Sequence, residues 1–330
     1  MMKLKFLYDN RDLARMLLAN WEFDDVGLEL MNQFRISANA IYPFRNNGQL
    51  QFLRFSPTSE KIETNVQAEI DFIHYLIQKG YNAPIPVKSK DGEELLVRDT
   101  PWGKYYAATF KSVDGKPLGE VEFTEEIAFK YGRCLGTLHD MSSKYGPVKR
   151  KRWSHDDVFD WIETTLKELL NEETALQELS IQRKFFFALP INTENYGLIH
   201  YDFELDNVFY DTVSDSYSVI DFDDTMYHWF VMDIERSLNS LHNELSLNNS
   251  DVYTNQFLSG YRTAFSVNDI EISRLPAFRR FADLYAYTRI RRASYEKWRN
   301  ETGWIVELRN KLHTMAEKKL EDFRTPLAIS

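Results

Sequence analysis

Val66, Ile70, Ile73 and Ile77 recur at intervals of three and four residues. This spacing predicts one apolar helix face, and Gly80 just beyond it supplies a stop. Thr64 followed by Gln67 has the spacing of a capping box at the start of that helix. Ahead of it lie two short apolar runs, 34–42 and 50–55. The segment between them, 43–48, ends in Asn47-Gly48, a strong turn signal, so the pair predicts a β-hairpin. Residues 94–98 and 104–110 read as two further strands. Up to residue 110 the pattern is therefore strand, strand, helix, strand, strand: a small sheet with one helix.

Beyond Gly115 the period changes. Thr124 followed by Glu125 and Glu126 is a helix start with acids in the first turn, and Ile127, Tyr131, Leu135 and Leu138 mark its apolar face. Residues 156–179 predict another helix. Two short apolar runs, 208–210 and 217–220, interrupt the helical trend, which resumes from Trp229 to the end. The fold class expected is α+β in two lobes. Residues 1–110 form a small sheet lobe with one helix, and residues 111–330 a larger, mostly helical lobe.

Composition narrows the partners. The formal charge of −10 repels phosphate backbones, which argues against a nucleic-acid binder and leaves room for an acidic pocket that takes a cationic small molecule. With 13 Gly and 10 Pro in 330 residues, collagen-like and low-complexity readings fall away. Cys134 is the single cysteine, so no intrachain disulfide forms, and its place on an apolar face predicts a buried thiol. No stretch has the roughly 18 uncharged apolar residues of a membrane span, and residues 1–10 match a signal peptide poorly. A cytoplasmic protein without a membrane partner is expected. The basic run at 149–152 reads as a solvated loop.

The informative chemistry lies in His200-Tyr201-Asp202, Asn207 and Asp221-Phe222-Asp223-Asp224, at the ends of short apolar runs. Phosphoryl transfer needs a base facing the acceptor hydroxyl and hard oxygen ligands for Mg²⁺. Asp202 supplies the first, and Asn207 with Asp221 the second. The step of five residues from Asp202 to Asn207 is that of the protein-kinase catalytic loop. Three rivals compete. Residues 217–225 also match the first motif of haloacid-dehalogenase-type phosphatases, with Asp221 as nucleophile, although that fold needs further parallel strands downstream. A His-x-Asp iron site would need a distal histidine such as His228 or His242. A non-catalytic kinase-like module would bind nucleotide without turnover.

The stretch resembles the aminoglycoside phosphotransferase and choline kinase families, small-molecule kinases with a protein-kinase-like fold. Leu135-Gly136-Thr137-Leu138-His139 resembles the family's Leu-Gly-x-Leu-His helix, and 275–284 is similar to a late family helix. The resemblance implies that the chain uses ATP and Mg²⁺ to phosphorylate a hydroxyl of a small acceptor, with a lean toward a cationic one. It assigns 1–110 to nucleotide binding and 111–330 to catalysis and the acceptor. It makes Ser37 and Asn39 the phosphate-covering loop, although that loop holds no glycine. Arg54 takes the place of the ATP-binding lysine, with Glu69 as its helix partner. Thr109, Phe110 and Lys111, with Ser112, become the hinge that takes adenine through backbone hydrogen bonds. Asp233 becomes an acid that braces the catalytic loop. His200 and His139 are expected to pack and hold, and Arg289, Arg291 and Arg292 to pair with acids.

Overall fold

The computed structural model describes residues 1–147, 151–244 and 250–326. They divide into two compact units, one built on Met1–Val113 with Lys151, the other on the described chain from Asp114 onward.

The first unit is an antiparallel sheet with helices. Its elements are α1 (Arg11–Leu18), β1 (Arg35–Ile36), β2 (Ala40–Asn46), β3 (Gln49–Pro57), α2 (Glu63–Gln78), β4 (Pro86–Val87), β5 (Leu95–Thr100) and β6 (Gly103–Lys111). The order is β1-β2-β3-β6-β4, with β5 also paired to β6. The hairpin forms where expected, but β2 runs on through Pro43, which pairs with Phe52, so only Asn47 and Gly48 turn. Their φ values, 50° and 73°, are both positive, as the two-residue hairpin turn of matching twist requires. Asp24 accepts from both turn amides, at 2.9 and 2.8 Å. The capping box does not form. Helix α2 starts two residues early, at Glu63, and its N-cap Ile62 has no side chain that can accept. Gly80, at φ 83°, does end it. The helix α1 was not foreseen. It buries Leu13, Ala14, Leu17 and Leu18 against Trp21, Tyr42, Phe44, Leu53 and Phe55 of the sheet core.

The second unit contains β7 (Lys116–Pro117), α3 (Glu125–Ser143), α4 (His155–Lys167), α5 (Glu173–Phe187), β8 (Tyr196–Ile199), β9 (Val208–Asp211), β10 (Ser216–Val219), β11 (Met226–Trp229), α6 (Val231–Glu244), α7 (Ser250–Arg262), α8 (Asp269–Ser273), α9 (Leu275–Ser294) and α10 (Gly303–Phe323). Thr124 caps α3 by accepting from the Ile127 amide at 3.2 Å. The single helix expected over 156–179 is two, and Asn171 at φ 62° lies in the break. Strands β10-β9-β7 form one antiparallel sheet and β11-β8 a second. Cys134 is half-buried rather than enclosed. No helix among the described residues is long and apolar enough to cross a membrane.

Helices α3 and α7 meet backbone to backbone. A Cβ on Gly132 would lie 1.9 Å from the Phe257 carbonyl oxygen, and one on Gly260 would lie 1.8 Å from that of Phe129. Gly136 faces Tyr261 in the same way, at 2.6 Å. Neither helix can hold a side chain there without moving apart, and separation would open the core around Tyr131, Phe203 and Phe257. Gly132→Ala should therefore cost about 3 kcal/mol, the upper range for overpacking, read as a lower urea midpoint with unchanged slope. A variant as stable as the parent would show that the two helices slide freely.

The same unit holds an aromatic core around His228, whose ring lies 4.6 Å from Phe281 and 5.4 Å from Phe186 between centroids. Its Nδ1 accepts from the Trp229 amide at 2.9 Å, and its buried Nε2 has no hydrogen-bond partner among the described residues. Burial, then the neighbouring His155, lowers its pKa well below the ordinary histidine value. The folded chain therefore keeps it neutral, while the unfolded chain takes up a proton below about pH 6.5. Its stabilising contribution is full above that pH and declines as pH falls toward the lowered folded value. His228→Leu should flatten the acid limb of stability by about 1 kcal/mol between pH 6.5 and 5.5, measured by urea melts at both. An equal slope in variant and parent would contradict the assignment.

Candidate active site

The loop after β8 carries His200 to Asn207, and the turn after β10 carries Asp221 to Asp224. Asn207 Nδ2 donates to the Asp202 carbonyl at 2.9 Å and to Asp202 Oδ2 at 3.0 Å. This leaves Asn207 Oδ1, a hard oxygen, facing elsewhere. The Asn207 carbonyl accepts from the Ile220 amide at 2.9 Å, which brings Asn207 beside Asp221. Asp221 itself sits in the left-handed region, φ 63° and ψ 60°. His200 joins the two loops. Its Nε2 lies 3.0 Å from the Ile220 carbonyl, an acceptor only, so Nε2 carries the proton and Nδ1 accepts from the Asp202 amide at 3.3 Å. Its ring stands 4.7 Å from that of Phe222 between centroids. Burial holds His200 below the ordinary histidine pKa, so it stays neutral in this role.

The backbone of this loop is held from behind by α6. Asp233, fully buried, accepts from the His200 amide at 2.7 Å, the Tyr201 amide at 2.6 Å and His139 Nε2 at 3.1 Å. Tyr201, at φ 68°, occupies a conformation costly to a side-chain-bearing residue. The strong hydrogen bonds of a buried carboxylate offset that cost. His139 Nδ1 meets the Tyr261 hydroxyl at 2.7 Å, which extends the brace to α7. One and two turns further along α6, Ser237 Oγ donates to the Phe203 carbonyl at 3.0 Å, and Ser240 Oγ accepts from the Leu205 amide at 3.0 Å. Tyr131 of α3 adds a bond of 2.6 Å to the Phe203 carbonyl. Sequence reasoning missed Ser237 and Ser240. Their spacing from Asp233, four and seven residues, was the available signal.

Asp202 keeps 32% of its side-chain surface exposed. Burial of its surroundings, then the Asp224 carboxylate, pushes its carboxyl above the ordinary range, against the pull of Arg236, His200 and Arg289. Asp224 is paired with Arg289 of α9 at 2.6 Å, and Glu172 with Arg291 at 2.6 Å. Arg152 is buried and donates to the Asp223 and Thr225 carbonyls, so it fixes the turn after β10 instead of sitting in a solvated loop. Lys149 and Arg150 of that basic run lie outside the described residues.

In the first unit, Arg54 on β3 and Glu69 on α2 form a fork-to-fork pair, with Nη1–Oε1 2.7 Å and Nη2–Oε2 2.8 Å. The guanidinium lies 4.7 Å from the centre of the Phe110 ring. Ser37 is exposed at the tip between β1 and β2, where its amide donates to the Asn39 carbonyl at 3.0 Å. Asn39 is buried, 6% exposed, so only Ser37 of the two presents its side chain to solvent. The segment expected as the hinge begins inside the sheet. Thr109 and Phe110 lie inside the sheet, paired to Leu53 and Phe52, and the amides of Lys111 and Ser112 donate to the Ile85 and Leu50 carbonyls at 2.9 and 3.1 Å. These amides are consumed by the sheet, and Val113 is the first residue past them.

The rivals fare worse. Strand β10, which leads to Asp221, pairs antiparallel with β9 at one side of a three-stranded sheet, and the chain beyond β11 is helical. A dehalogenase-type phosphatase has no frame here. His228 is enclosed by aromatic rings and His242 bonds to Thr254 at 2.9 Å, so neither completes an iron site with His200. No cluster of three or more metal-binding His, Cys, Asp or Glu occurs among the described residues.

Known proteins resemble this chain in sequence and in fold. Amicoumacin kinase of Bacillus subtilis (strain 168) is 24% identical over 205 residues, 59% of this chain and 58% of its own length. An uncharacterised protein of Synechocystis is 26% identical over 243 residues, 71% of this chain and 65% of its own length. The matches thus span less than two thirds of either relative. A solved amicoumacin kinase in complex with AMP-PNP, Ca²⁺ and Ami superposes with a TM-score of 0.77 at 21% identity, over 98% of this chain and 96% of the other. A microcompartment-associated aminopropanol kinase gives a TM-score of 0.67 at 19% identity, over 97% and 100%. The α+β fold is therefore protein-kinase-like. The model of the phosphotransferase enzyme family (APH) matches residues 44–266, and the chain belongs to that family.

Proposed function

We propose that this chain is an ATP-dependent small-molecule kinase that transfers the terminal phosphoryl group to a hydroxyl. The observation that carries the reading is the double hydrogen bond from Asn207 Nδ2 to Asp202. It leaves Asp202 Oδ1 for an alcohol proton and, with Nδ2 engaged, leaves the Asn207 amide oxygen as the atom that would meet a metal beside Asp221. An amide oxygen and a carboxylate are a donor set that Mg²⁺ accepts, with water and phosphate oxygens completing six positions. Bound by Asn207 and Asp221, Mg²⁺ would offset phosphate charge. Asp202 would orient the acceptor hydroxyl and take its proton. Arg54, held flat by Glu69 and backed by Phe110, would steady the phosphates, with Ser37 covering them. The purine would take its backbone contact from Val113 onward.

The acceptor class follows more loosely. Two of the relatives are named for amicoumacin and aminopropanol, and the chain's charge of −10 favours a cationic partner. We therefore favour amine-bearing alcohols, met in the cytoplasm. The test is ADP release from MgATP over a panel that includes 1-amino-2-propanol, choline, amicoumacin and spectinomycin. At least one alcohol should raise the rate above the water background, and EDTA should abolish it. Calorimetric MgATP binding without stimulation by any alcohol would instead support the non-catalytic module. Absence of nucleotide binding would remove the kinase reading.

A further inference from the structure

Helix α6 acts on the loop's side chains as well as on its backbone. Arg236, one turn beyond Asp233, donates from Nη2 to Glu204 Oε1, and the same nitrogen lies 3.9 Å from Asp202 Oδ1. Its guanidinium stands over the Tyr201 ring, 5.6 Å from the centre. Its buried Nε has no hydrogen-bond partner among the described residues. The separation matters. At 3.9 Å the guanidinium attracts Oδ1 without forming a hydrogen bond. Oδ2 is already taken by Asn207. Oδ1 thus feels a fixed positive charge yet keeps its lone pairs. Glu204 is what restrains the guanidinium at that distance. Without it, the Asp202 charge would draw Arg236 closer and cap the oxygen that the acceptor needs.

We infer that Arg236, tethered by Glu204, is a positioning residue that aims Asp202 Oδ1 at the acceptor while leaving it free to accept a proton. This rests on the kinase reading above. Two opposite substitutions should then damage the same step. Arg236→Met removes the pull and leaves two neighbouring carboxylates to repel. Glu204→Gln weakens the tether and lets Arg236 collapse onto Asp202. Arg236→Lys keeps the charge without the planar fork and should recover part of the loss.

The experiment has two arms. In the first, ADP release from MgATP is followed with water and with each alcohol of the panel. Both Arg236→Met and Glu204→Gln should lower kcat about 10–100-fold while KM for MgATP stays within about 3-fold, the mark of an interaction made during transfer. In Asp202→Asn, adding Arg236→Met should cause no further loss. An unchanged kcat in either single variant, or additive losses in the double, would overturn the inference. The second arm needs no acceptor. Urea midpoints of Arg236→Met, Asp202→Asn and the double variant should be non-additive, since Asp202→Asn removes one of the carboxylates that Arg236→Met leaves unopposed. Additive midpoints would also overturn it. Should Arg236→Met not fold, Arg236→Lys and Glu204→Gln carry both arms. A parent chain that releases no ADP with any alcohol would count against the kinase reading instead, while the urea cycle would still decide the Arg236–Asp202 coupling.

Discussion

Asp202→Asn should reduce turnover by about 10²–10⁴-fold, the usual worth of a positioned general base. The substitution is almost isosteric. The amide oxygen can still accept from Asn207 Nδ2, which now spans 2.9–3.0 Å to two Asp202 oxygens, so the loop should keep its shape. What disappears is the oxygen that takes a proton. MgATP affinity, read by calorimetry, should change little, because Asp202 is not among the residues assigned to phosphate or metal. The thermal midpoint should move by a few degrees at most. Near-parental turnover by the variant would mean that another group takes the proton, and the role given to Asp202 would be withdrawn.

Asp233→Ala should fail for a different reason. It removes one carboxylate and strands three donors: the His200 amide, the Tyr201 amide and His139 Nε2. All lie where water does not reach, since Asp233, His200 and His139 are fully buried. Breaking such a buried charged network typically costs about 3–5 kcal/mol. Tyr201 would also keep a left-handed backbone with no bond to offset it. The expected result is a thermal midpoint lower by on the order of 10 °C, together with loss of turnover in the fraction that remains folded. Asp233→Asn should recover only part, because its NH₂ must face a donor. A stable, active Asp233→Ala chain would show that the loop is held by Ser237, Ser240 and Tyr131 alone.

The two groups of chemical residues differ in how far the sequence reveals them. Asp202, Asn207 and Asp221 sit on adjacent strand ends within twenty residues, so their spacing carries their proximity. Arg54 and Glu69 are also near in sequence, one on a strand and one on the helix that follows. Both sets could be read. Ser237, Ser240 and Arg236 could not, because polar residues at helical intervals look the same whether they face water or a buried loop. Only the position of α6 behind residues 200–205 distinguishes the two. The hinge segment meets a related limit: which amides a strand consumes depends on its neighbours on both sides, and β4 contributes only two residues. The Thr64–Gln67 box failed because the helix began two residues earlier than its caps implied.

The glycine contacts of α3 and α7 bear on any re-engineering of this chain. His139 and Tyr261 ride on those two helices, and their bond reaches Asp233 and so the loop that carries Asp202. A ratchet of either helix by a fraction of a turn would be transmitted to the chemistry through three side chains. Libraries that seek new acceptors should therefore leave the interlocked pair untouched, spare α9, whose Arg289 pairs with Asp224, and spend their diversity on α8 and α10.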